Sequence, residues 1–280
     1  MSDLLASAVE TDVNRALAED VGSGDLTALL IPATQTARAR VITREPAVIA
    51  GRPWFDACFR ALDLGCVIDW RVNEGALVAA GSVLVELSGN ARALLTAERP
   101  ALNFLQTLSA VATATRPYVE AVRGTHAAIL DTRKTLPGLR MAEKYAVRVG
   151  GGQNQRVGLY DGILIKENHI AAAGGIAQVL DAAFKLAEGK TSVQIEVENL
   201  DELGQALAAG ASLILLDNFS LDDMRRAVGL VHDRALLEAS GNITLDTVRA
   251  VAETGVDRIS VGSLTKHIRA VDLSMRIDTL

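Results

Sequence analysis

The fold of this chain is decided by six short apolar runs in its second half, each of which stops at a charged or small polar residue. The runs and their stopping residues are Ala127-Ala-Ile-Leu130 at Asp131, Gly162-Ile-Leu-Ile165 at Lys166, Val193-Gln-Ile195 at Glu196, Leu213-Ile-Leu-Leu216 at Asp217, Leu236-Leu-Glu-Ala239 at Ser240, and Arg258-Ile-Ser-Val261 at Gly262. The stopping residues lie about 20 to 35 positions apart, which is the length of one strand and one helix.

Runs of isoleucine, leucine and valine between helical stretches are typical of strands that are buried on both faces of a parallel sheet. Several such units in succession favour a (β/α) barrel, in which the carboxyl ends of the strands line one mouth. The count of runs falls short of the eight strands of a complete barrel. We therefore predict an incomplete α/β barrel whose mouth, lined by polar and charged side chains, holds an active site.

The first part of the chain has a different pattern. The first twenty residues and residues 53–62 have helical periodicity. Residues 36–51 alternate between apolar and polar side chains, and residues 67–87 form short segments joined by tight turns. This pattern predicts an α+β domain with a small antiparallel sheet.

A long helical segment connects the two parts. Residues 91–122 are nearly all helix formers, and residues 264–273 form the last predicted helix. The domains predicted from this organisation are an N-terminal domain at 1–113 and the incomplete barrel, as the catalytic domain, at 114–280.

Composition excludes several classes of protein. The chain has 280 residues, of which 49% are hydrophobic, so it can bury a large core. Its formal net charge of −6 argues against general binding to nucleic acid. The sequence contains no membrane-spanning run, no signal peptide and no metal-like spacing of its two cysteines, so we expect a cytoplasmic protein that acts on small molecules.

Basic side chains nevertheless concentrate between residues 133 and 166. Arg133 and Lys134 follow the first barrel strand, Arg156 follows a triple glycine, and Lys166 follows the next strand. Arginine offers a planar fork that matches carboxylates, and lysine is a compact charge suited to phosphate. Four cations at one mouth would repel one another unless an anion binds there. The sequence therefore predicts a site for a polyanionic small molecule.

Two carboxylates and two small-residue loops complete the predicted mouth. Glu196 and Asp217 could hold hydroxyls or a divalent metal, act on protons, or form ion pairs with the lysines of the site. The loops Ser240-Gly-Asn242 and Gly262-Ser263 follow the last two strands, where many barrels bind phosphate. The position of Lys166 also leaves open a Schiff-base aldolase.

These segments together resemble the quinolinate phosphoribosyltransferase family, the decarboxylating enzymes of NAD biosynthesis. The matching segments run in order along nearly the whole chain: Glu19-Asp-Val-Gly-Ser-Gly-Asp-Leu-Thr27, Glu98-Arg-Pro-Ala-Leu-Asn-Phe-Leu-Gln106, 131–140, Glu143-Lys-Tyr-Ala-Val147, 150–156, Leu164-Ile-Lys-Glu-Asn-His169, Glu196-Val-Glu-Asn199, Leu216-Asp-Asn-Phe219, Ser240-Gly-Asn242 and Ser260-Val-Gly262. The Asp-Thr-Arg-Lys-Thr block at 131–135 is the most specific of them.

The resemblance implies an N-terminal α+β sandwich domain followed by an incomplete barrel, and a homodimer in which Arg99 of one subunit completes the site of the other. It implies that Arg133, Arg156 and Lys166, with Thr132 and Gln155 nearby, hold the two carboxylates of quinolinate. It implies that phosphoribosyl pyrophosphate (PRPP) and Mg²⁺ are held by the remaining site residues, with Glu196 and Asp217 reaching the metal directly or through substrate or water. Those residues are Lys134, Glu196, Asp217, Ser240, Gly241, Asn242, Val261, Gly262 and Ser263. The residues expected to take part in catalysis are Lys134, Lys166, Glu196 and Asp217.

The sequence departs from the family at position 155. Family members usually have Asn-His-Arg where this chain has Asn154-Gln-Arg156. Glutamine cannot titrate near pH 7, but it can replace histidine wherever a neutral hydrogen bond to the substrate suffices. Because the cationic residues are intact, we expect the family's reaction to be retained.

The implied reaction joins the quinolinate nitrogen to C1 of the ribose, releases pyrophosphate and CO2, and gives nicotinate mononucleotide. Alternative interpretations are a relative that acts on another acid, such as the proteins of molybdate gene clusters, and a non-catalytic sensor of a phosphorylated metabolite. The intact block at 131–135 favours quinolinate over another acid, and the intact carboxylates weigh against a sensor.

Overall fold

The structure is a computed structural model that describes residues 2–279. The chain forms two compact units, each built from segments that are distant in sequence. The N-terminal unit contains the chain up to Arg116, the segment Thr135–Gly151, and the chain from His267 onward. The barrel unit contains Pro117–Lys134 and Gly152–Lys266.

The helices and strands follow one another as the apolar periodicities predict, with one exception at the end of the chain. The helices are α1 Ser2–Val21, α2 Arg52–Leu62, α3 Ala91–Ala121, α4 Arg140–Val149, α5 Glu167–Ala173, α6 Ile176–Ala187, α7 Leu200–Ala208, α8 Leu221–Val231, α9 Leu245–Ala252 and α10 Ser263–Lys266. The strands are β1 Thr36–Thr43, β2 Ala47–Val48, β3 Val67–Trp70, β4 Leu77–Val78, β5 Val83–Asn90, β6 Ala128–Leu130, β7 Gly162–Ile165, β8 Ser192–Val197, β9 Leu213–Asp217, β10 Leu236–Ser240, β11 Arg258–Ser260 and β12 Leu273–Thr279.

The main sheet of the N-terminal unit has four antiparallel strands in the order β12-β1-β5-β3. Strand β1 alternates as expected for a sheet with one covered face: Ala37, Ala39 and Val41 are buried, whereas Arg38 and Arg40 are exposed. A second, two-stranded sheet pairs β2 with β4. The predicted small antiparallel sheet is therefore confirmed.

The end of the chain differs from the prediction. The helix predicted at 264–273 is wrong beyond Lys266, where α10 ends. Strand β12 follows and pairs along its whole length with β1, from Thr43 opposite Leu273 to Ala37 opposite Thr279. The predicted domains, 1–113 and 114–280, differ from the two compact units for this reason, since the last strand completes the N-terminal sheet. The segment 135–151, which carries α4, also belongs to the N-terminal unit.

Helix α3 continues through Pro100 and Pro117, and one side of it is buried. It carries several charged side chains, among them Arg92, Glu98 and Arg99. Within residues 2–279, no single helix is long and apolar enough to cross a membrane, although the bent pair α5 and α6 passes that test together by length and composition.

The barrel unit contains six parallel strands in the order β6-β11-β10-β9-β8-β7. The inner strands are buried because apolar residues occupy both faces, as in β9, where Ile214, Leu215 and Leu216 are buried. Strands β6 and β7 form the two edges of the sheet, so the ring of strands is open between them. The predicted incomplete barrel is confirmed.

Parallel pairing places the carboxyl ends of all six strands at the same end of the unit. Asp131 follows β6 directly, and Lys166 follows β7. Glu196 is the second-last residue of β8, and Asp217 and Ser240 are the last residues of β9 and β10. Residues that are far apart in sequence are brought to one mouth in this way.

Candidate active site

A cavity of about 180 Å³ lies at the carboxyl ends of the barrel strands. It is lined by Thr132, Arg133, Lys134, Gln155, Arg156, Leu164, Lys166, Glu196, Leu215, Glu238, Ser240 and Ser260. The structure therefore brings together all four cations that the sequence predicts at the mouth. It adds Leu164, Leu215, Glu238 and Ser260 to the predicted residues.

Asp131 holds the two arginine-bearing segments together. Its side chain is fully buried, and its Oδ1 accepts a hydrogen bond of 2.9 Å from the backbone N–H of Gln155. Its Oδ2 accepts a second bond from the Asn154 amide. Burial, together with the positive charge of Arg133, lowers the pKa of Arg156. The two guanidinium groups therefore share a confined region in which a bound anion would relieve their repulsion.

The backbone of Lys134 is held by hydrogen bonds at both its N–H group and its carbonyl oxygen. Its N–H donates to Thr132 Oγ1 at 3.0 Å, and its carbonyl oxygen accepts from the buried Thr265 hydroxyl at 2.7 Å. A side chain at Gly262 would place its Cβ 3.2 Å from Lys134 Cδ and 3.5 Å from Thr132 Oγ1. Gly262 therefore allows the loop after β11 to lie close to the lysine.

Lys166 and Glu196 form an ion pair across the ends of neighbouring strands. The Lys166 Nζ atom lies 2.8 Å from Glu196 Oε2 and 3.0 Å from Oε1. The lysine side chain is 45% exposed and the glutamate 10% exposed, so the ammonium still faces the cavity. The alternative in which Glu196 pairs with a lysine of the site is the arrangement that the structure shows.

Beneath these groups, the carboxylate of Glu238 lies fully buried in β10. Gln155 Nε2 donates to both of its oxygens, at 2.7 and 2.6 Å, and Gln194 Nε2 donates to Oε2 at 3.0 Å. The Ser260 hydroxyl donates to Oε1. Gln155 Oε1 accepts from the backbone N–H of Arg156 at 3.1 Å. The Gln155 amide, which the resemblance assigns to the substrate, is engaged within the protein at both its nitrogen and its oxygen.

Several predicted site residues lie at the strand ends but do not line this cavity. They are Asp217, Gly241, Asn242, Val261, Gly262 and Ser263. Asp217 Oδ2 accepts a hydrogen bond of 2.8 Å from the neighbouring Asn218 amide. Gly241 has a φ of +108°, and a side chain there would collide with Asn218, so this turn after β10 requires glycine.

Arg99 belongs to the N-terminal unit, on α3. Its side chain is 60% exposed and makes a long contact of 3.9 Å with Glu98. Arg99 is not among the residues that line the cavity of the barrel unit.

Among residues 2–279, the carboxylates predicted to hold a metal are Glu196 and Asp217, at the ends of neighbouring strands. No group of three or more histidine, cysteine, aspartate or glutamate side chains suited to a metal ion occurs among the described residues. Mg²⁺ is often held by one or two carboxylates together with substrate phosphates, so Glu196 and Asp217 fit that ion when a phosphorylated substrate is present.

Glu238 and Gln194 are absent from the predicted site because they lie within strands, whereas the predicted residues lie where strands end. Both lie inside apolar runs, in Leu236-Leu-Glu-Ala239 and Val193-Gln-Ile195. A polar side chain in the middle of a strand buried on both faces must find partners inside the barrel. A polar residue inside an apolar run is therefore the sequence signal that indicates both residues.

Comparison with known families decides the relationship of the chain. The C-terminal domain of quinolinate phosphoribosyl transferase matches residues 111–276, and the N-terminal domain of the same enzyme matches residues 25–109. The chain belongs to the quinolinate phosphoribosyltransferase family. The two matches together span the barrel and the antiparallel sheet, except for the last three residues of β12. Helix α1 lies before the first matched residue.

Relatives of similar length support the assignment to this family. A probable nicotinate-nucleotide pyrophosphorylase [carboxylating] of Bacillus subtilis is 42% identical over 95% of this chain and 92% of its own length. The nicotinate-nucleotide pyrophosphorylase [carboxylating] of Mycobacterium leprae is 42% identical over 98% of this chain and 99% of its own. The solved structure of the Francisella tularensis nicotinate-nucleotide pyrophosphorylase is 46% identical and superimposes with a TM-score of 0.93 over 98% of this chain and 97% of its own.

Proposed function

We propose that this member of the quinolinate phosphoribosyltransferase family transfers the phosphoribosyl group of PRPP to quinolinate, with release of pyrophosphate and CO2, to give nicotinate mononucleotide for NAD biosynthesis. The observation that carries the proposal is the convergence of Arg133, Lys134, Arg156 and Lys166 on one small cavity. A dicarboxylate and a pyrophosphate would repel each other in water, and four cations allow them to bind side by side.

The residues divide between the two substrates by their chemistry. Arg133, Arg156 and Lys166, with Thr132 beside them, would hold the two carboxylates of quinolinate, because guanidinium forks match carboxylates. Lys134 would meet the phosphates as a point charge, together with the loops that follow β10 and β11. These loops and the strand ends before them contain Ser240, Gly241, Asn242, Val261, Gly262 and Ser263.

Reaction requires that positive charge develop at C1 of the ribose while pyrophosphate leaves. Glu196 lies at the cavity and can stabilise that charge or bind a ribose hydroxyl, and we propose the same role for Asp217. Once the pyridine nitrogen is bonded to C1, loss of the adjacent carboxylate as CO2 leaves a carbanion beside a pyridinium, whose positive charge stabilises it until a proton from solvent completes nicotinate mononucleotide. No protein nucleophile is required, so the chain's contribution is to position the substrates and to neutralise their charges.

We also propose that the enzyme uses Mg²⁺, held by PRPP with Glu196 and Asp217 directly or through water. When bound, the ion would neutralise charge on the departing pyrophosphate. Both Glu196 oxygens accept from the Lys166 ammonium, so the carboxylate would share its oxygens between that cation and the ion.

The active enzyme is proposed to be a homodimer in which Arg99 of one subunit reaches the site of the other. The 60% exposure of the Arg99 side chain supports this proposal, since a buried side chain could not serve another subunit. We place the enzyme in the cytoplasm, which the two unbridged cysteines, Cys58 and Cys66, support.

The direct test combines quinolinate, PRPP and Mg²⁺ with the purified protein and follows nicotinate mononucleotide by chromatography. Product that depends on all three components supports the proposal. Absence of product from folded protein contradicts it. Trapping of Lys166 by borohydride in the presence of a carbonyl substrate would instead indicate the Schiff-base aldolase.

A further inference from the structure

Glu238 is a charged residue of the cavity to which the reaction assigns no role. It is fully buried in the middle of β10, where an apolar residue would be the ordinary choice. Removing a carboxylate from water costs several kcal/mol unless hydrogen bonds replace its hydration. Its donors are two side-chain amides and one hydroxyl, from Gln155, Gln194 and Ser260.

The hydrogen bonds around Glu238 have a fixed direction. Both Glu238 oxygens accept from Gln155 Nε2, so Gln155 turns its NH2 group towards this carboxylate and its oxygen the other way. Gln155 Oε1 then accepts from the backbone N–H of Arg156 at 3.1 Å. The Arg156 guanidinium is held separately, through Nη1 to the Gly162 carbonyl oxygen at 2.9 Å. A continuous chain of contacts thus connects Glu238 to Arg156.

We propose that Glu238 is a positioning residue for the acid substrate. Glu238 acts through Gln155 to hold Arg156 at the cavity. The inference rests on the proposed function, in which Arg156 binds a carboxylate of quinolinate. It assigns to Gln155 an indirect role, because both ends of its amide are engaged with protein groups. Asp131, which accepts the Gln155 backbone N–H at 2.9 Å, fixes the same segment from the β6 side.

Glu238→Gln is the sharpest perturbation because it keeps the shape and reverses part of the hydrogen bonding. The new NH2 group would face the NH2 groups of Gln155 and Gln194. If the Gln155 amide rotates to accept from it, its own NH2 group turns towards the Arg156 N–H, and that hydrogen bond is lost. We expect the KM for quinolinate to rise at least about tenfold, while the KM for PRPP changes by less than about twofold.

A double-mutant cycle tests whether the effect passes through Arg156. Where Arg156 is already alanine, Glu238→Gln should change the KM for quinolinate by less than about threefold, because coupled residues are not additive. Asp257→Asn is the matched control. The Asp257 carboxylate accepts at 2.7 Å from the backbone N–H of Leu237, the residue before Glu238 in β10. This variant should leave both KM values within about twofold of wild type.

If Glu238→Gln does not fold, Gln155→Met replaces it in the same cycle, since it removes the amide and leaves Glu238 two donors. The same quinolinate-specific rise in KM, absent in the Arg156→Ala background, supports the proposal. An unchanged KM for quinolinate, equal rises for both substrates, or an effect that persists in full without Arg156 overturns it. These outcomes are read only from an active wild type, so a wild type without activity contradicts the proposed function and not this inference.

Discussion

Lys166 and Glu196 form an ion pair between the ends of two adjacent parallel strands, with Nζ 2.8 Å from Oε2. Because the lysine side chain is nearly half exposed, the pair adds little to the free energy of unfolding. Its importance lies in the placement of a cation and an anion in one cavity. A dicarboxylate that enters must share the ammonium with Glu196.

We predict that Arg133→Ala and Lys166→Ala each weaken the binding of quinolinate by about 1.5 to 3 kcal/mol, the range for hydrogen bonds to charged groups. Each change removes a cation from the cavity, and Lys166→Ala also leaves Glu196 without its partner. Titration calorimetry with quinolinate measures the effect. Lys185→Ala, which breaks an exposed pair with Asp181 on α6, is the control and should bind normally. Unchanged affinity in both cavity variants would be incompatible with this assignment.

Nicotinate should be a poor substrate. It lacks the second carboxylate, so part of the charge of Arg133, Arg156 and Lys166 would remain unmatched in the cavity, which is costly. Steady-state kinetics with each acid at saturating PRPP checks this expectation. Comparable kcat/KM values for nicotinate and quinolinate would refute it.

Mixed dimers should recover activity from two inactive variants. Arg99→Ala removes the arginine proposed to come from the partner, and Lys134→Ala disables the barrel site of its own chain. In a mixed dimer, one of the two sites would carry neither change, so activity should return on mixing. Each variant alone, taken through the same mixing procedure, is the control and should remain inactive. If mass spectrometry shows that subunits exchange while no activity returns, the shared site is excluded.

Gln155→His should alter kcat/KM for quinolinate by less than about tenfold, or roughly 1.4 kcal/mol. An imidazole at this position can donate to Glu238, as the glutamine amide does at 2.6 to 2.7 Å. Only the neutral imidazole keeps an acceptor for the Arg156 N–H, as Gln155 Oε1 provides, so protonation of the histidine at lower pH should add a pH dependence. Kinetics between pH 6 and 8 measure both effects. A gain of a hundredfold would mean that glutamine impairs this reaction and that the natural substrate is another acid.

Glu143 should make the protein less stable as the pH rises. Burial raises its pKa from 4.5 to about 7, although the Leu136 N–H donates to its carboxylate. The folded state therefore binds more protons than the unfolded state between these values, and the free energy of unfolding falls as pH rises through that window. In Glu143→Gln this fall should be smaller by roughly 1 to 3 kcal/mol.

Urea denaturation at pH 4.5, 6 and 8 measures the effect of Glu143. Glu10→Gln on the exposed side of α1 is the control, and its pH dependence should match that of the wild type. If Glu143→Gln also follows the wild-type curve, burial of this carboxylate does not govern stability in the window.

The strands and most helices could be predicted because the apolar periodicity of the chain is strong. The strand β12 could have been predicted as well, since Leu273, Met275 and Ile277 alternate with polar residues. Its partner could not, because β1 lies more than 200 residues earlier and pairing across that separation leaves no local signal. The same is true of Asp131 and Gln155, whose hydrogen bond joins segments on either side of α4.

Arg133, Lys134 and Lys166 can be predicted from their place after buried strands, and Arg156 from the glycine run before it, whereas the role of Glu238 cannot. Its role depends on which side chains three other segments direct towards it, and sequence spacing does not give that information. Gln155 illustrates the same limit: its amide was expected to serve the substrate, but both of its ends bond to protein groups.

The central claim is tested most directly with quinolinate labelled with ¹³C in the carboxylate next to the ring nitrogen, incubated with the protein, PRPP and Mg²⁺. We predict labelled CO2, pyrophosphate and unlabelled nicotinate mononucleotide in equal amounts. Nucleotide that retains the label, or folded protein that releases neither labelled CO2 nor pyrophosphate, would contradict it.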